Sequence, residues 1–178
     1  MDHNSTIESL LTTAWAKRRE EKYQEARLLV REAQRLCDEN DYNNLGRIFH
    51  VLMQFESDHN HTSKALELCQ RSLDYYKKSE DPDRIAHSMR HVADLHRRLG
   101  NSDDSERCYR EAIGIYRRNA DTNLGDLVNA LRGFGLLLNK QVNKKEAIAV
   151  WREVKQLYFE CHLHEGVEEA TKNLEALE

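Results

Sequence analysis

Leu99-Gly100-Asn101-Ser102-Asp103-Asp104-Ser105-Glu106-Arg107-Cys108-Tyr109-Arg110-Glu111-Ala112-Ile113 reads as a turn followed by a helix. Glycine and asparagine interrupt the preceding apolar pattern, and Ser105, Tyr109 and Ala112 then recur at helical spacings of four and three. The same spacing returns in Ala26, Val30 and Ala33, in Ala65, Cys69 and Ser72, and in Ala147, Trp151 and Val154. The four leading small residues lie 39, 40 and 42 positions apart, a period that belongs to stacked helical pairs. Twelve residues upstream of each stands Ala14, Met53, Ala93 or Gly135, inside an earlier apolar helical pattern. Small residues at both places let two antiparallel helices approach closely.

Working outward, the pattern predicts helices over about 5–20, 23–38, 42–58, 62–78, 82–99, 102–118, 123–140, 143–160 and 164–177. These make four pairs, 5–38, 42–78, 82–118 and 123–160, and one further helix whose Val167, Ala170, Leu174 and Leu177 suit it to cap the end of a stack. Asp81 before Pro82 marks one start, because the carboxylate caps free amides and proline at the first helical position wastes no donor. One proline and seven glycines in 178 residues leave few breakers, and 33% charged with 39% hydrophobic residues suits long amphipathic helices. The expectation is an all-α solenoid over residues 1–178 as one domain, long enough to bury its core without metals or disulfides.

This arrangement resembles the tetratricopeptide repeat. First-helix signature positions are Leu10, Phe49, Met89 and Leu131, followed by Leu52 with Met53, Val92 with Ala93, and Phe134 with Gly135; Thr13 with Ala14 is the weaker match. No repeat carries the proline that usually closes the unit, and the period exceeds the usual thirty-four or so. The longer form is similar to the subclass seen in kinesin light chains and some signalling adaptors. The resemblance implies a right-handed superhelix whose first helices line a concave face that binds protein.

Projected onto this sequence, that face comprises Glu8, Leu11, Trp15, Arg18 and Arg19; Arg47, His50, Gln54, Ser57 and Asp58; His87, Arg90, Asp94, Arg97 and Arg98; and Asn129, Arg132, Leu136, Asn139 and Lys140. Eight of these are basic and three acidic, although the chain as a whole carries −4. Arginine forks match carboxylates, so the expected partner is an acidic peptide or protein segment, with Trp15, Leu11 and Leu136 as apolar anchors. The alternative for each arginine is a solvated helix face paired with a neighbouring carboxylate. Trp15 has its own alternative, packing within its terminal repeat. The lysine-asparagine carboxylate clamp of chaperone-binding relatives does not transfer, since Leu11 and Trp15 occupy its first-repeat sites.

No catalytic set, cofactor or metal is expected. His87 and His91 lie four apart, but Ser88 stands where a metalloprotease pattern needs glutamate, and Cys161, His162 and His164 lack a further ligand at suitable spacing. The four cysteines, Cys37, Cys69, Cys108 and Cys161, are scattered and read as small hydrophobes. No glycine-rich phosphate loop is present. The start lacks a basic region followed by an apolar run and no stretch is long enough to span a bilayer, so the reading is cytoplasmic, with the triplets at Asn4 and Asn60 left unglycosylated. A protein-binding scaffold is favoured; a peptide-sensing regulatory module and a structural homo-oligomer are the alternatives. Nucleic acid is least favoured, because the basic face has no interleaved aromatics.

Overall fold

The computed structural model describes residues 3–119, 121–141 and 143–177. Among them the elements are α1 (His3–Arg19), α2 (Tyr23–Leu36), α3 (Tyr42–Asp58), α4 (Thr62–Ser79), α5 (Pro82–Leu99), α6 (Ser102–Arg118), α7 (Leu124–Leu138), α8 (Lys144–Glu160) and α9 (His164–Glu175). No strand occurs among the described residues. Helix starts follow their sequence signals: Asp41, Asn123 and Asn143 accept from the backbone amides of Asn44, Gly125 and Glu146, and Asp81 from that of Arg84. The turns after α1, α3, α5 and α8 share one geometry. Glu21, Asn60, Gly100 and His162 each take a positive φ, and the next residue's amide reaches back five residues, as in Lys22 to Lys17, His61 to Glu56, Asn101 to His96 and Leu163 to Tyr158. Only Gly100 meets this left-handed backbone with a residue that adopts it freely.

The chain divides into two compact units, Met1–Ser88 and Met89–Glu178. In the first, α2 packs on α1, α4 on α3, and α3 against both α1 and α2. Its core joins Ile7, Leu11 and Ala14 of α1 with Ala26, Val30 and Ala33 of α2 and Ile48, Val51 and Phe55 of α3. Leu11, expected as an apolar anchor for a ligand, is therefore a core residue at 2% exposure. Its position on α1 turns it toward α2 and α3.

In the second unit α6 packs on α7, α7 on α8 and α8 on α9. The small residues do what their spacing implied: Ser72 and Ser105 are fully buried, and their hydroxyls donate to the carbonyls of Gly46 and Ala93, each at 2.8 Å, across the helix pair. Bonding a buried hydroxyl in this way removes its desolvation penalty. Aromatic rings of the second helices press on glycines of the first: Tyr76 on Gly46, Tyr109 on Gly133 and Trp151 on Gly135, with Tyr158 on Gly166 of α9 repeating the motif. A Cβ at Gly133 would lie 2.6 Å from the Tyr109 hydroxyl oxygen and 2.8 Å from its ring carbons. Tyr109 is itself fully buried and has nowhere to retreat. Gly133→Ala should therefore destabilise the chain by about 1–3 kcal/mol, the usual cost of overpacking. Chemical denaturation checks this, and an unchanged midpoint would show that α6 and α7 separate at little cost.

Candidate partner-binding faces

In the first unit, the expected residues do gather on α1 and α3, together with His87 of α5. Trp15 is half-buried and carries the Arg18 guanidinium 4.8 Å from its ring centroid, while His50 stacks beside it at 6.1 Å. His87 extends the row, its ring 5.1 Å from that of His50. Arg18 forks onto Asp58, with both bonds at 2.6 Å, and its Nη2 also donates to Gln54 at 3.3 Å. Arg47 reaches Glu8 at 3.2 Å.

The second unit has its own set. Arg90 donates to Asp94 at 3.0 Å and, through Nη2, to His91 Nε2 at 2.8 Å; since a guanidinium only donates, that imidazole nitrogen accepts and its lone pair is engaged. Arg97 lies 3.6 Å from the same Asp94, and its Nε donates to the Tyr109 hydroxyl at 3.3 Å, which in turn donates to Asp94. Burial, followed by the charge of Asp94, pushes the Tyr109 phenol well above its ordinary range, so it stays a donor. Arg132 forks onto Glu169 of α9 at 2.6 and 2.7 Å. Asn139 donates to Asn173 and accepts from the Trp151 indole. Leu136 is half-buried, and Arg98, Asn139 and Lys140 are exposed.

The arginine-rich face thus carries its own carboxylates. Five of its eight cations, Arg18, Arg47, Arg90, Arg97 and Arg132, pair with acids inside their own unit. Asp58, Glu8 and Asp94 were legible in the sequence as members of the face; Glu169 was missed. A signal for it existed, because pairs between alternate helices, α1 with α3 and α7 with α9, recur near one repeat period: 40 residues for Arg18–Asp58, 39 for Arg47–Glu8 and 37 for Arg132–Glu169. Among the described residues, Arg19 and Lys140 are exposed cations of this face outside any ion pair.

Sequence reasoning also missed Glu56. At 3% exposure it is held by Arg27 of α2 at 2.9 Å, His61 at 2.9 Å and Lys64 of α4 at 3.4 Å. Burial pushes its carboxyl upward, but hydrogen bonds from His61 and Arg27 and the Lys64 charge outweigh that and hold it at about 2. This group is structural, as it ties α2, α3 and α4 together. The cysteines are all free thiols; Cys69 and Cys108 are buried and Cys37 and Cys161 half-buried. Burial, aided by Asp41 and Asp38, pushes the Cys37 thiol up to about 11 and keeps it protonated at neutral pH.

Residues 62–118, from the start of α4 to the end of α6, match the family model for the tetratricopeptide repeat. That segment carries tetratricopeptide-repeat sequence. No curated protein sequence matches it. Solved tetratricopeptide-type structures resemble the whole fold. BtubC (BKLC) from P. vanneervenii is 15% identical with a TM-score of 0.72, covering 98% of this chain and 80% of that one. The nearly identical TPR-like repeats of a kinesin-light-chain-type protein from Podosopora anserina are 12% identical with a TM-score of 0.71, covering 99% and 97%. A single-substitution variant of that protein gives 13% and 0.73, covering 99% and 95%. At these identities the likeness concerns the fold alone, an all-α solenoid. No helix among the described residues is long and apolar enough to cross a membrane.

Proposed function

We propose that this protein is a protein-binding scaffold whose first-helix faces take an acidic, extended segment of a partner. Repeat proteins of this fold generally act by binding proteins or peptides, and that coarse role rests on the family match and the fold. The acidic ligand rests on Arg18. Its guanidinium, backed by Trp15 and on a side chain 19% exposed, already holds a carboxylate in a two-bond fork in the first unit. A ligand carboxylate takes the same fork when Asp58 turns outward, and the exposed edge of Trp15 adds apolar area beside it. Asp58 then acts as a resident competitor, which keeps weakly acidic segments off the face. The internally paired Arg90–Asp94–Tyr109–Arg97 set contributes shape and fixed dipoles in place of a free positive charge.

Asp58→Asn tests this reading. An exposed pair of this kind is worth about 0.2–1 kcal/mol, so freeing Arg18 should tighten binding of a labelled poly-glutamate peptide up to about fivefold. Arg18→Gln should remove the gain. Equal affinity in wild type, Asp58→Asn and Arg18→Gln, by fluorescence anisotropy at low salt, would place the ligand elsewhere.

A further inference from the structure

The groove between α8 and α9 repeats, one period later, a groove that the chain fills with its own helix. Between α6 and α7 the lining residues Arg110, Ile113, Gly114 and Arg117 of α6 and Leu131 and Phe134 of α7 are covered by α8, which lays Glu146 and Val150 into them. Glu146 forks onto Arg110 at 2.8 and 3.0 Å, and Glu153, two turns on, closes over Arg117 at 2.7 Å. Between α8 and α9 the lining residues are Arg152, Lys155, Gln156 and Phe159, with Val167 and Leu174 opposite. Each α8 residue of this set stands 42 positions after its α6 counterpart. Here the depression measures about 470 Å³ against about 230 Å³ for the covered one. Phe159 is 67% exposed, and Val167 and Leu174 are only half-buried. Among the described residues, Arg152 and Lys155 have no carboxylate partner.

We infer that the α8–α9 groove docks an acidic amphipathic helix of a partner protein, which stands to α9 as α8 stands to α7. The internal copy specifies the chemistry. Arg110 is satisfied by a glutamate from the covering helix, so Arg152 selects a glutamate at the same place, and Val150 shows that an apolar residue four positions later enters the floor. Two positions depart from the internal copy. Lys155 replaces Ile113 and adds a second cation, whereas Phe159 replaces Arg117, so the docked helix carries an apolar residue where α8 carries Glu153. The occupant is accordingly more acidic than α8 on one edge and more apolar at its end. It is not a second copy of this chain: among the described residues the exposed large hydrophobics are Leu28, Leu99, Leu124, Phe159 and Leu163, and none pairs with another on the face of one helix. This surface is separate from the first-helix faces, so either site stands or falls without the other.

The test uses the full chain and a fluorescent peptide with the sequence of residues 143–160 carrying Lys144→Glu, Lys145→Glu and Glu153→Leu, which makes the probe acidic. Anisotropy should show saturable binding that Phe159→Ala and Arg152→Glu each weaken about tenfold, the cost of losing an apolar anchor or opposing like charges. A peptide that also carries Glu146→Lys should bind Arg152→Glu better than wild type, which a merely sticky surface would not produce. Phe159 and Arg152 are exposed, so both variants should keep the parent melting temperature. Binding indifferent to both substitutions overturns the proposal. So does a light-scattering mass of twice 20.9 kDa that Phe159→Ala reduces to one, since the groove would then belong to a dimer.

Discussion

Trp151→Ala should lower the free energy of unfolding by about 3–5 kcal/mol, the largest single-residue loss expected in the second unit. The indole is fully buried, and its N–H donates to the Asn139 side chain at 2.9 Å. It lies on Gly135, where a Cβ would stand 2.8 Å from the ring, so the opposite wall has no side chain able to swing into the space left behind. Truncation thus leaves a cavity that the Gly135 wall cannot fill. At this chain length the loss corresponds to a fall in melting temperature of about 10 °C. Trp15→Ala is the internal control. That ring is half-buried and covered by the movable Arg18, so its removal should cost less than half as much. Calorimetry on both variants decides the matter, and equal losses would mean that burial at Trp151 does not govern its contribution.

Glu56→Gln should cost about 3 kcal/mol at neutral pH, because it strips charge from a buried carboxylate while leaving Arg27 and Lys64 aimed at it. The sign of its pH dependence follows from the shift. The folded carboxyl sits at about 2 against an ordinary 4.5, so its contribution is complete above 4.5 and is lost as pH falls from there toward 2. Melting temperatures of wild type and Glu56→Gln should therefore differ most near pH 6–7 and converge below about pH 3. Curves that remain parallel down to pH 2.5 would show that the charge of Glu56 is not what holds α2, α3 and α4 together.

Much of this was readable from one strand of reasoning about spacing. Ala14, Ala26, Ala33, Ala65, Ala93, Ala112 and Ala147 were picked out because they recur, and every one is fully buried at a helix contact. Helix boundaries were read at Asp81 with Pro82 and at the turn of Gly100 and Asn101, and the expected bounds match the observed ones within about two residues. Both succeed because helix pairing is a local problem. A period of 3.6 residues, a cap and a small contact residue leave the backbone few other choices.

The face residues fared differently. Leu11 was expected beside Trp15 at the surface, yet it is in the core, since the projection places a side chain by turn and not by how deeply the neighbouring helices wrap it. The arginines were expected to present charge, yet five of the seven close on acids: Arg18, Arg47 and Arg132 a repeat away, Arg90 and Arg97 on Asp94 of their own helix.

By itself, the sequence determined that this is a helical repeat protein, where its helices begin and end, and which small and aromatic residues bring them together. Only the tertiary structure decided which basic group meets which carboxylate: Glu169 instead of a ligand for Arg132, Asp58 for Arg18, Arg27 and Lys64 together with the His61 ring for Glu56, and none among the described residues for Arg152. Long charged side chains reach several acids from any one backbone position, and the few ångströms that choose among them are set by helix packing, which a linear pattern does not encode.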